Sequence, residues 1–253
     1  RTNNVKPDIA VILGSGLTNF FDEKNIISSI SYEDLSDFPQ PTVKGHAGKI
    51  VLGKIGDIKV VCMYGRSHIY EGHDPAILAK PIRVLKDIGC KLLIITNAAG
   101  SLDEDMPPGS LMAISDHINL SGVNPLIGAN LESYGPRFYD MSDGYHTRYR
   151  NQLINIANTN DQKIFEGVYC MYSGPNFETP AEIKASRVLG GNAVGMSTVP
   201  EVLVANHCSL PVIAISIITN LAAGMNKTKL SHQETLENAG LAEKNIINLL
   251  KKF

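Results

Sequence analysis

The segment Gly65-Arg66-Ser67-His68-Ile69-Tyr70-Glu71-Gly72-His73 follows an apolar run at 58–64 and carries a high density of polar function. Arg66 offers a guanidinium fork that suits phosphate oxygens. Side chains alternate along an extended segment, so Arg66, His68 and Tyr70 share one face. A solvated strand end is the plainer alternative. Three long polar groups on one face behind a buried strand argue against it. A second candidate is Ala193-Val194-Gly195-Met196-Ser197-Thr198-Val199-Pro200-Glu201. It reads as a short buried strand, a Gly turn and a helix opened by Thr198, with Pro200 in the first turn and Glu201 closing a capping box. A helix start presents free backbone N–H groups to an anion, and Ser197 adds a hydroxyl. The third candidate is Gly14-Ser15-Gly16, behind the run Ile9-Ala10-Val11-Ile12-Leu13. Asn19 stands where a dinucleotide fingerprint needs a third Gly, and no Gly-Lys-Ser/Thr follows. Alone this Gly-x-Gly is as readily a turn. Two anion cradles without a P-loop lysine point to an enzyme that binds free phosphate.

Other segments could serve a flat organic substrate. Glu178 lies just ahead of a helix start at Thr179-Pro180-Ala181-Glu182, where the helix N-terminal field favours a carboxylate. Phe177 beside it offers an apolar face to a ring. Thr219-Asn220 ends an apolar strand, the end at which open α/β sheets bind ligands, although Asn is also a common turn former. Gly45-His46-Ala47-Gly48 sets a His between glycines; alone it reads as a surface-loop residue. No partner stands at metal-ligand spacing, so no metal site is expected.

These residues need a scaffold. Apolar runs predict strands at 9–13, 49–55, 58–64, 92–96, 111–115, 164–171, 193–196 and 212–218, the second and third joined by a tight hairpin at Gly56-Asp57. Helical patterns lie at 75–89, 145–158, 179–189, 198–208 and 231–251. The last opens on a second capping box, Ser231-His232-Gln233-Glu234. Alternation of this kind predicts an α/β fold with a central mixed sheet flanked by helices. Residues 97–110 and 119–144 read as long loops of the functional kind. The 253 residues suffice for one large domain, and a net charge of −2 shows no basic footprint for nucleic acid. No apolar run approaches the roughly 18 residues of a membrane span. The start, on Arg1, shows no signal-peptide pattern. Cys62, Cys90, Cys170 and Cys208 form no C-x-x-C pair and are expected to be buried free thiols of a cytoplasmic protein.

Taken together, the chain resembles the trimeric, low-molecular-mass purine nucleoside phosphorylase family. The resemblance rests on Gly14-Ser15-Gly16-Leu17, Gly45-His46-Ala47-Gly48, Gly65-Arg66 with His68 and Tyr70-Glu71-Gly72, Thr96-Asn97-Ala98-Ala99-Gly100, Gly174-Pro175 with Phe177-Glu178-Thr179, Gly195 through Glu201, and Thr219-Asn220. These pieces occur in family order, from residue 14 to the region of His232. The chain departs at Thr18-Asn19, where the family often has glycines, and at Ser67, where an aromatic is common.

The resemblance implies one nucleoside phosphorylase domain over 1–253 and reversible phosphorolysis of 6-oxopurine nucleosides such as inosine and guanosine. Orthophosphate is then a co-substrate, and no cofactor or metal is implied. Phosphate falls to Ser15, Arg66, His68, Ser197 and the N–H of Ala98, with His46 at the entrance. The purine falls to Phe177, Glu178, Val194 and Asn220. The ribose falls to Tyr70, Met196 and His232. Phe138 resembles the aromatic lent to a neighbouring subunit of a homotrimer. Asn220, Glu178 and His68 are the expected catalytic groups. The alternatives are a 5′-methylthioadenosine phosphorylase or a xanthosine-preferring phosphorylase of the same fold, and a purine-binding regulator without turnover. A nucleoside hydrolase would need an aspartate cluster for an activated water, and none is present.

Overall fold

A computed structural model of the chain describes residues 5–43, 45–226 and 230–253. Nine strands form one mixed sheet: β1 (Ile9–Leu13), β2 (Ile26–Ser31), β3 (Lys49–Ile55), β4 (Ile58–Tyr64), β5 (Leu92–Ser101), β6 (Leu111–Asn119), β7 (Ile164–Met171), β8 (Ala193–Gly195) and β9 (Val212–Leu221). Their spatial order is β2-β3-β4-β1-β5-β8-β7-β6-β9, and β5 also pairs with β9. The strands from β5 to β9 therefore close into a ring at one end of the sheet. Among the described residues, five α-helices cover it: α1 (Ala79–Asp87), α2 (Thr147–Thr159), α3 (Pro180–Val188), α4 (Val199–His207) and α5 (His232–Lys252). Among the described residues, no helix is long and apolar enough to cross a membrane.

Alternation along β1 shows why both faces are covered. Ala10 and Ile12 join one core with Ile82 and Leu85 of α1 and Val202 and Val204 of α4. Val11 and Leu13 join the opposite core with Leu153 of α2 and Ile246 and Leu250 of α5. A strand buried on both faces carries a continuous apolar run, which is what 9–13 shows. The β3–β4 hairpin turns at Gly56, whose φ of 57° suits glycine, and pairs Ile55 with Ile58. All four cysteines are free and buried, as expected.

Several expectations need correction. Residues 97–101 are not loop: β5 runs on through Ser101 because Asn97, Ala98 and Ala99 pair with β9. β9 itself extends to Leu221. The edge strand β2 was not expected; Ile26-Ile27-Ser28-Ser29-Ile30-Ser31 has no period of two, and its exposed face gives no burial pattern. Thr198 does cap α4 in position, but its side chain makes no cap bond and no capping box forms. At α5 only half of the expected box is made, with Ser231 accepting from the Glu234 N–H. At α3 the Thr179–Glu182 box is complete. Residues 120–146 hold no helix or strand, in keeping with the loop reading of 119–144 except at Asn119, which ends β6, a strand longer than the expected 111–115.

Candidate active site

A cavity of about 270 Å³ opens where β5, β8 and β9 end. The ring closure makes it. Gly100 of β5 pairs with Val194 of β8 on one side and with Asn220 of β9 on the other. A Cβ on Gly100 would stand 3.1 Å from Asn220 Nδ2 and 3.4 Å from Val194 Cγ1. A side chain there would crowd both, so glycine eases their close approach across the strand. Asn220 Oδ1 accepts from the Thr219 hydroxyl at 2.9 Å, and its Nδ2 donates to the Leu221 carbonyl at 3.0 Å. One lone pair and one N–H of the amide are left for a ligand. Glu178 lines the same region, is buried, and its Oε1 has no partner among the described residues. Burial raises its pKa above the usual carboxylate range.

The polar end is built from three segments. Gly14 presses against β5: its N–H donates to Thr96 Oγ1 at 2.9 Å, and a Cβ there would lie 2.8 Å from the Thr96 carbonyl. That contact brings Ser15 to the cavity wall beside Ala98. Arg66, only 5% exposed, reaches in from the segment after β4. Its Nη1 donates to Glu201 Oε1 at 3.1 Å, its Nη2 to the Thr96 carbonyl, and its buried Nε has no partner among the described residues. Ser197 closes the wall from the turn between β8 and α4. Its backbone N–H is not free, because it donates to the Tyr169 hydroxyl at 3.3 Å. The next residue, Thr198, sits at φ 76°, a region that a β-branched residue rarely adopts. Its Oγ1 accepts from Asn97 Nδ2 at 2.9 Å instead of capping the helix.

His68 stacks on Tyr70 with ring centroids 4.8 Å apart. Its Nδ1 lies 2.9 Å from Glu71 Oε1, which also accepts the His68 backbone N–H at 2.7 Å. Burial lowers the His68 pKa, and the Glu71 bond offsets this in part. Burial would raise the Glu71 carboxyl, but hydrogen bonds from His68 and Thr42 override it and hold it at about 2. Burial pushes Tyr70 up to about 12.

The cavity thus gathers the predicted residues Ser15, Arg66, His68, Tyr70, Ala98, Phe177, Glu178, Val194, Met196, Ser197, Asn220 and His232. Two stand apart. His46 does not line the cavity; it lies one step back, with Nε2 3.2 Å from Ser15 Oγ. Burial, with the nearby His68 and Arg66, lowers its pKa to about 3. Phe138 is 89% exposed and takes no part in the cavity of its own chain. The sequence reading missed Thr235, which joins His232 from one face of α5. Its spacing of i, i+3 could have found it. Glu201, read as a cap residue, is the partner of Arg66. Among the described residues, no group of three His, Cys, Asp or Glu could hold a metal ion.

Known proteins carry the same arrangement of chain. The sequence profile of the phosphorylase superfamily matches residues 8–253. Purine nucleoside phosphorylase 1 of Geobacillus stearothermophilus is 47% identical over 245 residues, covering 97% of this chain and 89% of that protein. The rat purine nucleoside phosphorylase is 44% identical over 239 residues, covering 92% and 83%. The Schistosoma mansoni purine nucleoside phosphorylase in complex with inosine superposes with a TM-score of 0.91 at 35% identity, covering 99% of this chain and 90% of that one. Its isoform 2, in complex with cytosine and ribose-1-phosphate, gives 0.92 at 39% identity, with the same coverage. With likeness of this extent in both sequence and fold, the chain belongs to the phosphorylase superfamily, among its purine nucleoside phosphorylases.

Proposed function

We propose that the protein catalyses reversible phosphorolysis of 6-oxopurine nucleosides: nucleoside and orthophosphate give free purine and ribose 1-phosphate. The observation that carries this reading is one cavity with a polar end of Ser15, Arg66, His68 and Ser197 and a base end of Val194, Glu178 and Asn220. Positive charge develops on the sugar as the glycosidic bond breaks. A phosphate held beside the anomeric carbon stabilises that charge and is also the nucleophile, combining electrostatics with proximity. No protein nucleophile, metal or organic cofactor is then required.

The purine leaves with negative charge, and Asn220 answers it. Its free N–H meets O6, and its free lone pair meets a protonated N7. Glu178 accepts from N1–H, which a 6-oxopurine has and adenine lacks. Phe177 and Val194 face the ring. Tyr70 and Met196 flank the ribose, and His232, the first residue of α5, meets the 5′-hydroxyl. His46 supports the phosphate site through Ser15. Phe138, bare on the loop after β6, serves the ribose site of a neighbouring copy in a homotrimer. The buried free thiols fit a reducing, cytoplasmic setting for purine salvage.

Hypoxanthine release from inosine, with and without phosphate, tests the reading. Phosphate-dependent release is expected. Release without phosphate would mean hydrolysis and would remove the role given to Arg66 and Ser197. No release in either case would move the assignment to methylthioadenosine.

A further inference from the structure

Among the described residues, the polar end of the cavity holds less free positive charge than its residue types suggest. Arg66 is the one arginine or lysine among the described residues that line the cavity, and it is paired with Glu201 at 3.1 Å. Glu71 adds a second carboxylate against His68, at 2.9 Å. Among the described residues, one cation and two carboxylates leave this set one charge negative when its imidazoles are neutral. Ser15 and Ser197 contribute dipoles only. A phosphate dianion brought into it would meet an uncompensated negative environment of low dielectric, which is costly.

Hydrogen-bond chemistry gives the same result. Glu71 can only accept, so His68 Nδ1 carries the proton of their bond. In the neutral ring Nε2 is then a lone pair. That lone pair is the remaining nitrogen of a residue that lines the phosphate end, and it repels a phosphate oxygen. One proton between the two atoms converts the repulsion into a short charge-assisted bond. Among the described residues, the charged and titratable groups acting on His68 fit this assignment. Glu71 and Tyr70 lie on its own turn, Arg66 on its own segment, and Glu201 on α4. His46, with its ring centroid 5.3 Å away, is held neutral by burial.

We propose that this site takes up phosphate together with one proton, held between His68 Nε2 and a phosphate oxygen, with Glu71 as the positioning residue that fixes the ring. Imidazolium with dianion and neutral imidazole with monoanion are the same composition, and the hydrogen-bond pattern at His68 requires only that the proton be there. The inference rests on the phosphate reading above and deepens it. Below the second ionisation of phosphate, the anion arrives with its proton. Above it, the proton must come from solvent, so binding weakens as the pH rises.

The test is calorimetry of inorganic phosphate binding to the intact protein at about pH 8.5, above the second ionisation of phosphate, in two buffers of different ionisation heat. About one proton taken up per phosphate bound is expected. The dissociation constant should rise about tenfold per pH unit in this range and level off in mildly acidic solution. Binding without proton uptake, or with a flat pH profile, overturns the proposal while leaving the phosphate site in place. A separate outcome, no phosphate binding together with phosphate-independent inosine cleavage, overturns the functional reading itself and this inference with it.

Discussion

Arg66 and Glu201 meet at 3.1 Å in the protein interior, although 135 positions separate them in sequence. One comes from the segment after β4 and the other from the first turn of α4, so the pair ties together two of the three segments that wall the phosphate end. Removing one partner of a buried pair leaves an uncompensated charge. Glu201→Ala should therefore cost about 3–5 kcal/mol of stability, read as a lower urea midpoint. Saturating phosphate should restore more stability to the variant than to the parent, because the anion then answers Arg66. An unchanged midpoint would count against the pairing.

Asn220 contributes one N–H and one lone pair to the cavity, and aspartate keeps only acceptors. Asn220→Asp should lower kcat/KM for inosine and raise the relative use of adenosine, shifting the ratio by at least about tenfold. Parallel losses on both nucleosides would remove the proposed contact to the base.

The departure from glycines at Thr18-Asn19 has a counterpart on α5. Glu243 Oε1 accepts from the Thr18 N–H at 2.6 Å and from the Asn19 N–H at 2.9 Å, holding the end of the loop that carries Ser15. Glu243→Ala should raise KM for phosphate roughly three- to fivefold and leave KM for inosine nearly unchanged, since hydrogen bonds to a charged acceptor are worth about 1.5–3 kcal/mol when well shielded and less at the surface. Glu243→Gln, which still accepts from both N–H groups, should recover most of the loss. Equal behaviour of the two variants would argue for a merely electrostatic effect.

His46 sets a pH dependence of stability. Its folded pKa is depressed to about 3. The unfolded chain binds a proton at His46 below about pH 6.5, and the folded chain does not until far lower. Stability is present above that unfolded value and declines as the pH falls through the window, by up to about 1.4 kcal/mol per pH unit for this one group. His46→Asn should flatten the slope of urea stability between neutral and mildly acidic pH by close to one proton. Identical slopes in the two proteins would mean that His46 is already charged when folded.

Much of the site was legible because anion and purine chemistry demand particular residue types at strand ends and helix starts. Ser15 of Gly14-Ser15-Gly16, Arg66 with His68, Ser197 and Asn220 all stand at such punctuation, and all of them line one cavity. The errors share a cause. Glu201 fits a capping box in sequence, yet an unpaired Arg66 would be costlier than an uncapped helix end, and the carboxylate goes to the guanidinium. Thr198 leaves its cap role for the same interior, where Asn97 holds its hydroxyl. The continuation of β5 through Asn97-Ala98-Ala99-Gly100-Ser101 looked like loop because it is rich in small and polar residues. Pairing with β9 and β8 on either side makes it strand.

The sequence by itself determined the order of the strands and helices except the edge strand β2, since periodicity and capping signals are local, and it determined the chemical types of the groups that line the cavity. Only the tertiary structure decided that β5 to β9 close into a ring, that Gly100 brings Val194 and Asn220 together, and that the phosphate end carries paired rather than free charge. Strand pairing and ion pairing join residues far apart in the chain, and their energies depend on burial and distance, which no local pattern encodes.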